Sequence, residues 1–307
     1  RLDDEHGNRT DGDGDRIACE DTCEQRPFHR VQDRGAPGEV RGGVMAKVLL
    51  TGASGFVGSH VLPALLDAGH HVVALCRSER VGAKVQSRIE RGGERLQVRV
   101  GDIENEDSVV AAATGCDAIV HLVAIPRDWS GGRELDRVNH LGTAHVVAAA
   151  QRAGVRRFVH LGALGVEERA GLNYASSKAR GERVVRASGL DYTIIKPSLI
   201  WGERDGFFNI VAALVRVPAP VVPVPGNGKS RFQPVWVGDV ARSIVTVLAD
   251  PKGSVGRSYE LGGPRYWTYA EITREVARAL NKDRKSTRLE LQSHLNLVCR
   301  LLLEKKK

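Results

Sequence analysis

Three glycines at a fixed spacing are the first residues of this sequence that could carry out chemistry. Gly52, Gly55 and Gly58 follow an apolar run, Val48 to Leu50, and precede a segment with helical periodicity. In a strand–turn–helix unit, the first glycine permits a sharp turn, the second lets the backbone approach a pyrophosphate, and the third lets helix and strand pack closely. Unpaired N–H groups at the start of the helix then bind the phosphates. The spacing therefore predicts a dinucleotide-binding turn, with a purely structural glycine-rich turn as the alternative.

A tyrosine and a lysine four positions apart form the second chemical pattern. Tyr174 and Lys178 fall on one face of a predicted helix, where side chains at this spacing are neighbours. An ammonium beside a phenol lowers the pKa of the phenol, which can then exchange a proton near neutral pH. The pair is common in proteins and becomes specific only because a dinucleotide-binding turn precedes it. The two residues are therefore predicted to be catalytic, with Tyr174 as the general acid and base.

The residues after the second predicted strand bear on which nicotinamide cofactor would bind. A site for NAD usually carries an acidic residue about 20 positions after the glycines, which contacts the ribose 2′-hydroxyl. The corresponding sequence here is LCRS, residues 75–78, which has no carboxylate. Arg77 and Ser78 suit a 2′-phosphate instead, because a guanidinium binds phosphate through paired hydrogen bonds. The sequence favours NADP(H) and leaves NAD(H) open; the alternative for Arg77 is a solvated surface side chain.

Alternating strand and helix patterns must position these residues. Six strands are predicted before residue 200, at residues 47–51, 71–75, 96–100, 118–123, 158–161 and 192–196. Helices are predicted from the glycine turn to about residue 68 and at residues 107–114, 135–153 and 174–187. Nearly continuous apolar strands separated by helices indicate a parallel sheet that is covered on both faces. The predicted fold class is therefore α/β, a Rossmann-type doubly wound parallel sheet.

The pattern changes after residue 200. Helices are predicted at 207–215, 240–249 and 269–280, strands at 232–237 and 258–261, and a Pro- and Gly-rich loop at 217–228. We interpret residues 45–200 as the NAD(P)-binding Rossmann domain and residues 201–281 as part of a small, truncated substrate lobe. Such a lobe would lie over the carboxyl ends of the strands, where open α/β sheets bind ligands. Asp239 is predicted to cap the helix that follows it.

Through most of residues 45–281 the chain resembles the extended (atypical) short-chain dehydrogenase/reductase superfamily, of the NAD-dependent epimerase/dehydratase type. The matching segments are TGASGFVG at 51–58, DI at 102–103, HLVA at 121–124, VNHLGT at 138–143, the Tyr174/Lys178 pair and PSLIWG at 197–202. Within the superfamily, FVHLGALG at 158–165 and KPS at 196–198 are most similar to the branch related to the nucleotide-binding accessory subunit of respiratory complex I. The resemblance implies an NAD(P)(H)-binding oxidoreductase or sugar-nucleotide epimerase/dehydratase.

The resemblance also implies which residues hold the cofactor. Lys178 would orient the nicotinamide ribose, and Asp102 and Ile103 would lie beside the adenine. The complete set of implied cofactor-binding residues is Gly52, Ser54, Gly55, Phe56, Val57, Gly58, Arg77, Asp102, Ile103, Leu122, Val123, Ala124, Lys178 and Pro197. No metal site is predicted.

One departure from the family pattern leads to two hypotheses of function. Catalytic members carry a Ser or Thr after the fifth strand that polarises the substrate carbonyl, whereas this chain has Gly162 and Ala163. Loss of such a donor typically costs about 10²–10³ in rate. Ser176 and Ser177 follow Tyr174 and are predicted to point away from the carbonyl. The chain is then either an enzyme of this type or a catalytically impaired cofactor-binding protein that assembles or stabilises a larger complex. A serine at either replaced position is predicted to raise any residual turnover.

Composition restricts the compartment and the partners. The 307-residue chain has a formal net charge of +8, spread along its length, which suits an anionic ligand or surface without requiring nucleic acid. Between residues 45 and 281 the cysteines are Cys76 and Cys116, which give no disulfide framework. No apolar run reaches the roughly 18 residues of a spanning helix. We expect a cytoplasmic protein with a small-molecule substrate of unknown identity and no nucleic-acid partner. Peripheral association with a membrane complex, at the inner face of the membrane, is the alternative, and the oligomeric state is left open.

Both ends of the chain differ from the rest. Met45 is the single methionine and stands just before the first strand, whereas residues 1–44 are rich in Asp, Arg and Gly and have no periodicity. We interpret residues 1–44 as translated upstream sequence, with a disordered extension as the alternative. Residues 283–307 back-translate to codons that resemble a sequencing adapter, so residues 282–307 would be an artefactual tail; an amphipathic helix is the alternative. Residues 1–44 and 283–307 are expected to pack against nothing.

Overall fold

A parallel sheet of seven strands carries the glycine turn near its centre. The computed structural model describes residues 45–89, 92–217, 221–281 and 285–289. The described strands are β1 Lys47–Thr51, β2 His71–Cys76, β3 Leu96–Val100, β4 Ala118–His121, β5 Arg157–Leu161, β6 Asp191–Pro197, β7 Ile200–Trp201, β8 Val221–Pro225, β9 Arg231–Phe232, β10 Val235–Trp236, β11 Arg257–Leu261, β12 Trp267–Thr268 and β13 Lys285–Leu289. The sheet has the order β3-β2-β1-β4-β5-β6-β11, so its direction of winding reverses between β1 and β4. This is the doubly wound Rossmann order, and the predicted fold class is confirmed.

Helices cover both faces of the sheet. The described helices are α1 Gly58–Asp67, α2 Glu79–Gln86, α3 Glu106–Ala113, α4 Arg133–Leu135, α5 Gly142–Arg152, α6 Asn173–Ala187, α7 Phe207–Arg216, α8 Val237–Ala249, α9 Pro251–Ser254 and α10 Tyr269–Ala279. Successive residues of β1 face opposite sides: Val48 and Leu50 join a core with α1, α2 and α8, while Leu49 joins a core with α3, α5 and α6. None of the helices in the described part of the chain is long and apolar enough to cross a membrane.

Several helices differ from the sequence prediction. α2 was not predicted, because only Gly82 and Val85 of its eight residues are buried and the apolar signal is weak. The helix predicted at 135–153 begins earlier, at Arg133, and includes a π-helical turn at Asp136–Leu141. Asp239 does not cap α8: the helix begins at Val237, and the Asp239 carboxylate accepts a hydrogen bond from Arg242 at 2.8 Å.

Short strands after residue 200 account for the remaining differences. β8 lies inside the segment predicted as a loop, and β9 and β10 divide the segment predicted as one strand. Residues 285–289 form β13 and pair in parallel with β8, so the expectation that residues 283–307 pack against nothing is wrong for them. The pairing joins two segments far apart in the chain, so the local sequence of residues 285–289 does not indicate it. Residues 1–44, 282–284 and 290–307, to which the other predictions about the ends apply, lie outside the described residues.

Candidate functional site

The turn after β1 requires glycine at two positions. Gly52 has a φ of +81°, and a Cβ there would lie 3.2 Å from the backbone of Leu122 and Val123. A Cβ on Gly58 would lie only 2.1 Å from the carbonyl oxygen of Gly52. Within the described residues, no side chain caps α1, which begins at Gly58. The backbone N–H groups of Ser59 and His60 donate to the carbonyl oxygens of Gly55 and Val57 at 3.0 Å, so the N–H groups that an anion could reach are those before Ser59, at the end of the turn. The turn therefore has the shape that the glycine spacing predicts.

A cavity of about 920 Å³ opens beside this turn, at the carboxyl ends of the sheet strands. Every residue predicted from the sequence to be catalytic or cofactor-binding lines it: Gly52, Ser54, Gly55, Phe56, Val57, Gly58, Arg77, Asp102, Ile103, Leu122, Val123, Ala124, Tyr174, Lys178 and Pro197. These residues come from the ends of five strands, β1, β2, β3, β4 and β6, and from α6. The parallel sheet brings them together because the carboxyl ends of its strands share one edge.

The part of the cavity after β2 and β3 carries the residue predicted to select the cofactor. Arg77 is exposed and lines the cavity. Gly101 and Asp102, which follow β3, also line it. Ser78 differs from the prediction, because its hydroxyl oxygen accepts a hydrogen bond from the backbone N–H of Val81 at 3.4 Å and caps α2. Ser78 is also not among the residues that line the cavity. Of Arg77 and Ser78, only Arg77 can therefore contact a ligand bound in the cavity.

Lys178 is almost fully buried, with 3% of its surface exposed. Its Nζ donates a hydrogen bond to the carbonyl oxygen of Leu161 at 2.6 Å, at the end of β5. Burial lowers the pKa of Lys178 to about 8, and the negative charge of Glu182 acts in the opposite direction. The lysine is therefore held at the cavity wall as a cation that would lose its charge in mildly alkaline solution.

Tyr174 lies one helical turn before Lys178 and is partly buried. Burial raises the pKa of Tyr174, because the phenolate would be poorly solvated. The expectation that Lys178 lowers this pKa is wrong for this geometry, since the Lys178 ammonium is directed to Leu161 and contributes no lowering. Tyr174 is therefore a neutral phenol at neutral pH, able to donate a proton.

A buried hydrogen-bond network underlies the site. His121 is completely buried at the end of β4, with Nδ1 2.7 Å from Thr51 Oγ1 and Nε2 3.1 Å from Thr143 Oγ1. The Thr143 hydroxyl donates to the carbonyl oxygen of Asn139 at 2.8 Å, so the His121 Nε2 must carry the proton and Nδ1 must accept. Burial lowers the pKa of His121 to about 3, which keeps the ring neutral.

The π-helical turn extends this network to α6. The side-chain amide of Asn139 donates to the carbonyl oxygen of Ile125 at 3.0 Å and to Ser177 Oγ at 3.1 Å. Ser177 Oγ in turn donates to the carbonyl oxygen of Tyr174 at 2.8 Å. The strand that precedes the glycine turn, β1, and the helix that carries the Tyr/Lys pair are thus fixed relative to one another. The sequence indicates these positions mainly through the family resemblance and does not predict their contacts.

The positions after β5 lack a side-chain hydrogen-bond donor, as the sequence indicates. Gly162 and Ala163 both line the cavity. A Cβ on Gly162 would not meet open space: it would lie 3.2 Å from Ile194 Cγ2, 3.4 Å from Lys196 Cγ and 3.5 Å from Glu182 Oε2. The two neighbouring positions therefore differ in the room they offer to a side chain.

The two serines after Tyr174 do not replace the missing donor. Ser176 Oγ donates to the carbonyl oxygen of Arg169 at 3.0 Å, and neither Ser176 nor Ser177 lines the cavity. The prediction that both hydroxyls point away from the reacting centre is consistent with these contacts.

Residues of the smaller lobe that are not part of the predicted site also line the cavity. The Arg231 guanidinium lies 4.5 Å from the centre of the Tyr266 ring, and Gln233 Nε2 donates to the carbonyl oxygen of Gly263 at 2.7 Å. Gln233 Oε1 is buried and has no hydrogen-bond partner in the described part of the chain. These three side chains form the end of the cavity contributed by the smaller lobe. The strand predicted at 232–237 includes Gln233, but the sequence does not indicate the pairing of β9 with β12 near these side chains.

The fold and this cavity define a Rossmann-type dinucleotide-binding protein. Residues 52–251 match the sequence model of the NAD(P)H-binding family, and the chain belongs to that family. The solved dTDP-glucose 4,6-dehydratase of Streptomyces venezuelae, with NAD bound, is similar in fold. It has a TM-score of 0.67 and 26% sequence identity over 80% of this chain and 84% of that chain.

Two curated relatives are similar to the chain in sequence over about three quarters of its length. Subunit 9 of the alpha subcomplex of mitochondrial NADH dehydrogenase [ubiquinone] 1 from Arabidopsis thaliana is 27% identical over 75% of this chain and 56% of that protein. A 3 beta-hydroxysteroid dehydrogenase/Delta 5→4-isomerase of Mycobacterium tuberculosis is 33% identical over 76% of this chain and 70% of that protein. The chain spans between 52% and 62% of the length of the first relatives it matches. The predicted membership of the extended short-chain dehydrogenase/reductase superfamily is confirmed, as is the similarity to the complex I accessory-subunit branch.

Proposed function

We propose that the chain is an NAD(P)(H)-dependent oxidoreductase in which Tyr174 is the general acid and base. The observation that carries the proposal is that Tyr174 and Lys178 lie in the wall of the same cavity as the glycine turn. The family to which the chain belongs binds NAD(P)H. Bound nicotinamide supplies or accepts the hydride, and the substrate is a carbonyl compound or the corresponding alcohol.

In this proposal the lining residues have separate tasks. The N–H groups at the start of α1 bind the pyrophosphate, Asp102 and Ile103 adjoin the adenosine, and Lys178 binds the nicotinamide ribose. Leu122, Val123, Ala124 and Pro197 enclose the nicotinamide end. Tyr174 transfers a proton between its phenol oxygen and the substrate oxygen. Because burial raises the pKa of Tyr174, the phenol keeps its proton at neutral pH, so the acid form that carbonyl reduction needs is the form present.

The proposed cofactor is NADP(H), with NAD(H) as the weaker ligand. Arg77 supports this choice, because it is exposed at the end of β2, lines the cavity and is not opposed by a carboxylate in residues 75–78. A guanidinium at this position would pair with a 2′-phosphate. NADPH should therefore bind more tightly than NADH, and Arg77→Ala should remove the difference. Fluorescence titration of both cofactors measures it; an NADH preference that is unchanged in Arg77→Ala would contradict the assignment.

A second candidate function is supported by Gly162 and Ala163. Without a hydroxyl there, an enzyme of this type lacks about 3–4 kcal/mol of transition-state stabilisation, whereas cofactor binding loses nothing. In this alternative the chain binds the dinucleotide without turnover and assembles or stabilises a larger complex, peripherally at a membrane. The relative from Arabidopsis is named as an NADH dehydrogenase subunit, and this name suggests that the larger complex is of the same kind.

Turnover measurements separate the two candidates. The chain would be assayed by reduced-cofactor absorbance with NADPH and a panel of ketones, and with NADP⁺ and 3β-hydroxysteroids, which the name of one relative suggests. The oxidoreductase proposal predicts turnover that falls at least ~10²-fold in Tyr174→Phe, with NADPH affinity unchanged within about twofold. NADPH binding without turnover would establish the second candidate, and a chain that binds neither cofactor would overturn both.

A further inference from the structure

A buried carboxylate lies one helical turn beyond Lys178. Glu182 follows Lys178 by four positions on α6, so the two side chains share one face of the helix. Glu182 is 7% exposed, and an ionised carboxylate buried to this extent is stable only beside compensating cations. Arg186 Nη2 donates to Glu182 Oε1 at 2.7 Å, and Lys196 Nζ lies 3.6 Å from the same oxygen. One carboxylate oxygen therefore accounts for both of these contacts.

The other oxygen of Glu182 is directed towards the end of β5. Glu182 Oε2 is buried and has no hydrogen-bond partner within the described residues. It lies 3.5 Å from the point that a Cβ on Gly162 would occupy, and Gly162 directly follows Leu161, whose carbonyl oxygen accepts the Lys178 hydrogen bond. The absence of a side chain at Gly162 thus leaves this carboxylate oxygen facing the strand end that holds the Lys178 ammonium.

The other titratable groups around Lys178 do not favour its positive charge. His121 on β4 and His160 on β5 are completely buried, and the Lys178 charge contributes to lowering the pKa of both. Tyr174 precedes Lys178 on α6 and is neutral, and Lys196 on β6 and Arg186 on α6 are cations. Glu182 is the group whose charge opposes the effect of burial on Lys178.

We propose that Glu182 is a positioning residue that keeps Lys178 protonated in its buried position and so preserves the binding of the nicotinamide ribose. The part of this proposal that concerns the ribose rests on the proposed function. The part that concerns the charge of Lys178 rests only on the geometry of α6, β5 and Gly162.

A direct titration of Lys178 tests the charge. The chain is labelled with lysine carrying ¹³C at the ε-carbon, and the Lys178 resonance is identified by its absence in Lys178→Arg. In Glu182→Gln, which keeps the shape and removes the charge, the midpoint of the Lys178 titration should fall by roughly one pH unit. Arg186→Gln is the matched control of opposite sign: it removes a cation from the same carboxylate, so the midpoint should stay or rise. An unchanged midpoint in Glu182→Gln, or a fall in both variants, would overturn the proposal.

NADPH affinity measured against pH tests the consequence for the cofactor. At pH 6 Lys178 is charged in both proteins, so Glu182→Gln should bind NADPH as tightly as the unmodified chain. Between pH 7 and 8 its affinity should fall first, by about twofold at pH 7 and about fivefold at pH 8 relative to the unmodified chain, if the ribose contact requires the charge. An equal loss at every pH would indicate a merely structural role.

If the unmodified chain binds no NADPH even at pH 6, the proposed function fails, while the Lys178 titration still decides the role of Glu182. Should Glu182→Gln fail to fold, the Arg186→Gln titration alone decides: a lowered midpoint refutes the proposal.

Discussion

A serine introduced at position 163 should restore part of the missing catalytic power, whereas a serine at position 162 should not. The sequence alone predicts a gain at either position. The structure distinguishes them, because a Cβ on Gly162 would lie 3.5 Å from the unpartnered Glu182 Oε2 and 3.2 Å from Ile194 Cγ2. A hydroxyl on that Cβ would donate to the carboxylate, which removes it from the substrate. Ala163 lines the cavity and is only partly buried.

The expected size of the gain follows from the value of one donor. A fully preorganised donor contributes about 2.7–4 kcal/mol to the transition state. A serine placed without supporting contacts should recover about half of that, which corresponds to roughly a 10- to 30-fold increase in kcat/KM. The assay is oxidation of NADPH with a ketone that gives measurable turnover, together with NADPH affinity, which should stay within about twofold of the unmodified chain.

Two further variants make the result decisive. Ala163→Cys has nearly the size of serine but a weak donor, so it should gain little. Ala163→Ser combined with Tyr174→Phe should lose the gain, because the two donors act on the same oxygen. The reasoning is refuted if Gly162→Ser raises turnover as much as Ala163→Ser does, or if Ala163→Ser changes nothing while NADPH binding and stability are intact.

Two other predictions concern stability. Gly58→Ala should destabilise the fold by about 1–3 kcal/mol and abolish NADPH binding, because its Cβ would lie 2.1 Å from the Gly52 carbonyl oxygen. Thermal melts should show no comparable loss for Gly93→Ala, where a Cβ would meet no atom of the described residues within 4 Å. Burial lowers the pKa of His121 and His160 in the folded chain below the ~6.5 of the unfolded chain, so the unfolded chain binds more protons and stability falls as the pH drops below ~6.5. His160→Phe should reduce that loss by about 2 kcal/mol at pH 5 in urea titrations, and parallel curves for the two proteins would contradict the assignment.

Local spacing explains why much of the fold and of the cofactor side of the site could be predicted. Part of the constraint on the turn is local, because a Cβ on Gly58 would meet Gly52 only a few positions before it, whereas a Cβ on Gly52 would meet the distant residues Leu122 and Val123. Tyr174 and Lys178 are likewise related by one turn of a single helix. Their convergence in one cavity then follows from the parallel order of the strands, which nearly continuous apolar runs already indicate.

Long-range contacts explain what could not be predicted. β9 pairs with β12 and β8 with β13. The two-residue strands β9 and β12 have too few alternations to give a periodic signal, and Pro223 and Pro225 in β8 led to the prediction of a loop. The link from Thr51 through His121 to Thr143 joins three elements, and nothing in the local sequence of any one of them indicates it. The effect of burial on the pKa of Tyr174 is also invisible in a spacing of four residues, which predicted the opposite direction.

The two positions after β5 have different physical constraints, and this bears on which function the chain performs. At Gly162 the packing of Ile194 and Glu182 already excludes a side chain without local adjustment, so glycine there follows from the fold and says little about catalysis. Ala163 is partly exposed in the cavity wall, and its lack of a hydroxyl is the feature that bears on function. A chain that reduces carbonyl compounds must then obtain its second donor from the substrate, from water or from the smaller lobe. A chain that only binds the dinucleotide needs none, because the glycine turn and Lys178 act independently of position 163. If the unmodified chain shows measurable turnover, the lobe residues Arg231, Gln233 and Tyr266, which line the cavity, are therefore the first candidates for the second donor.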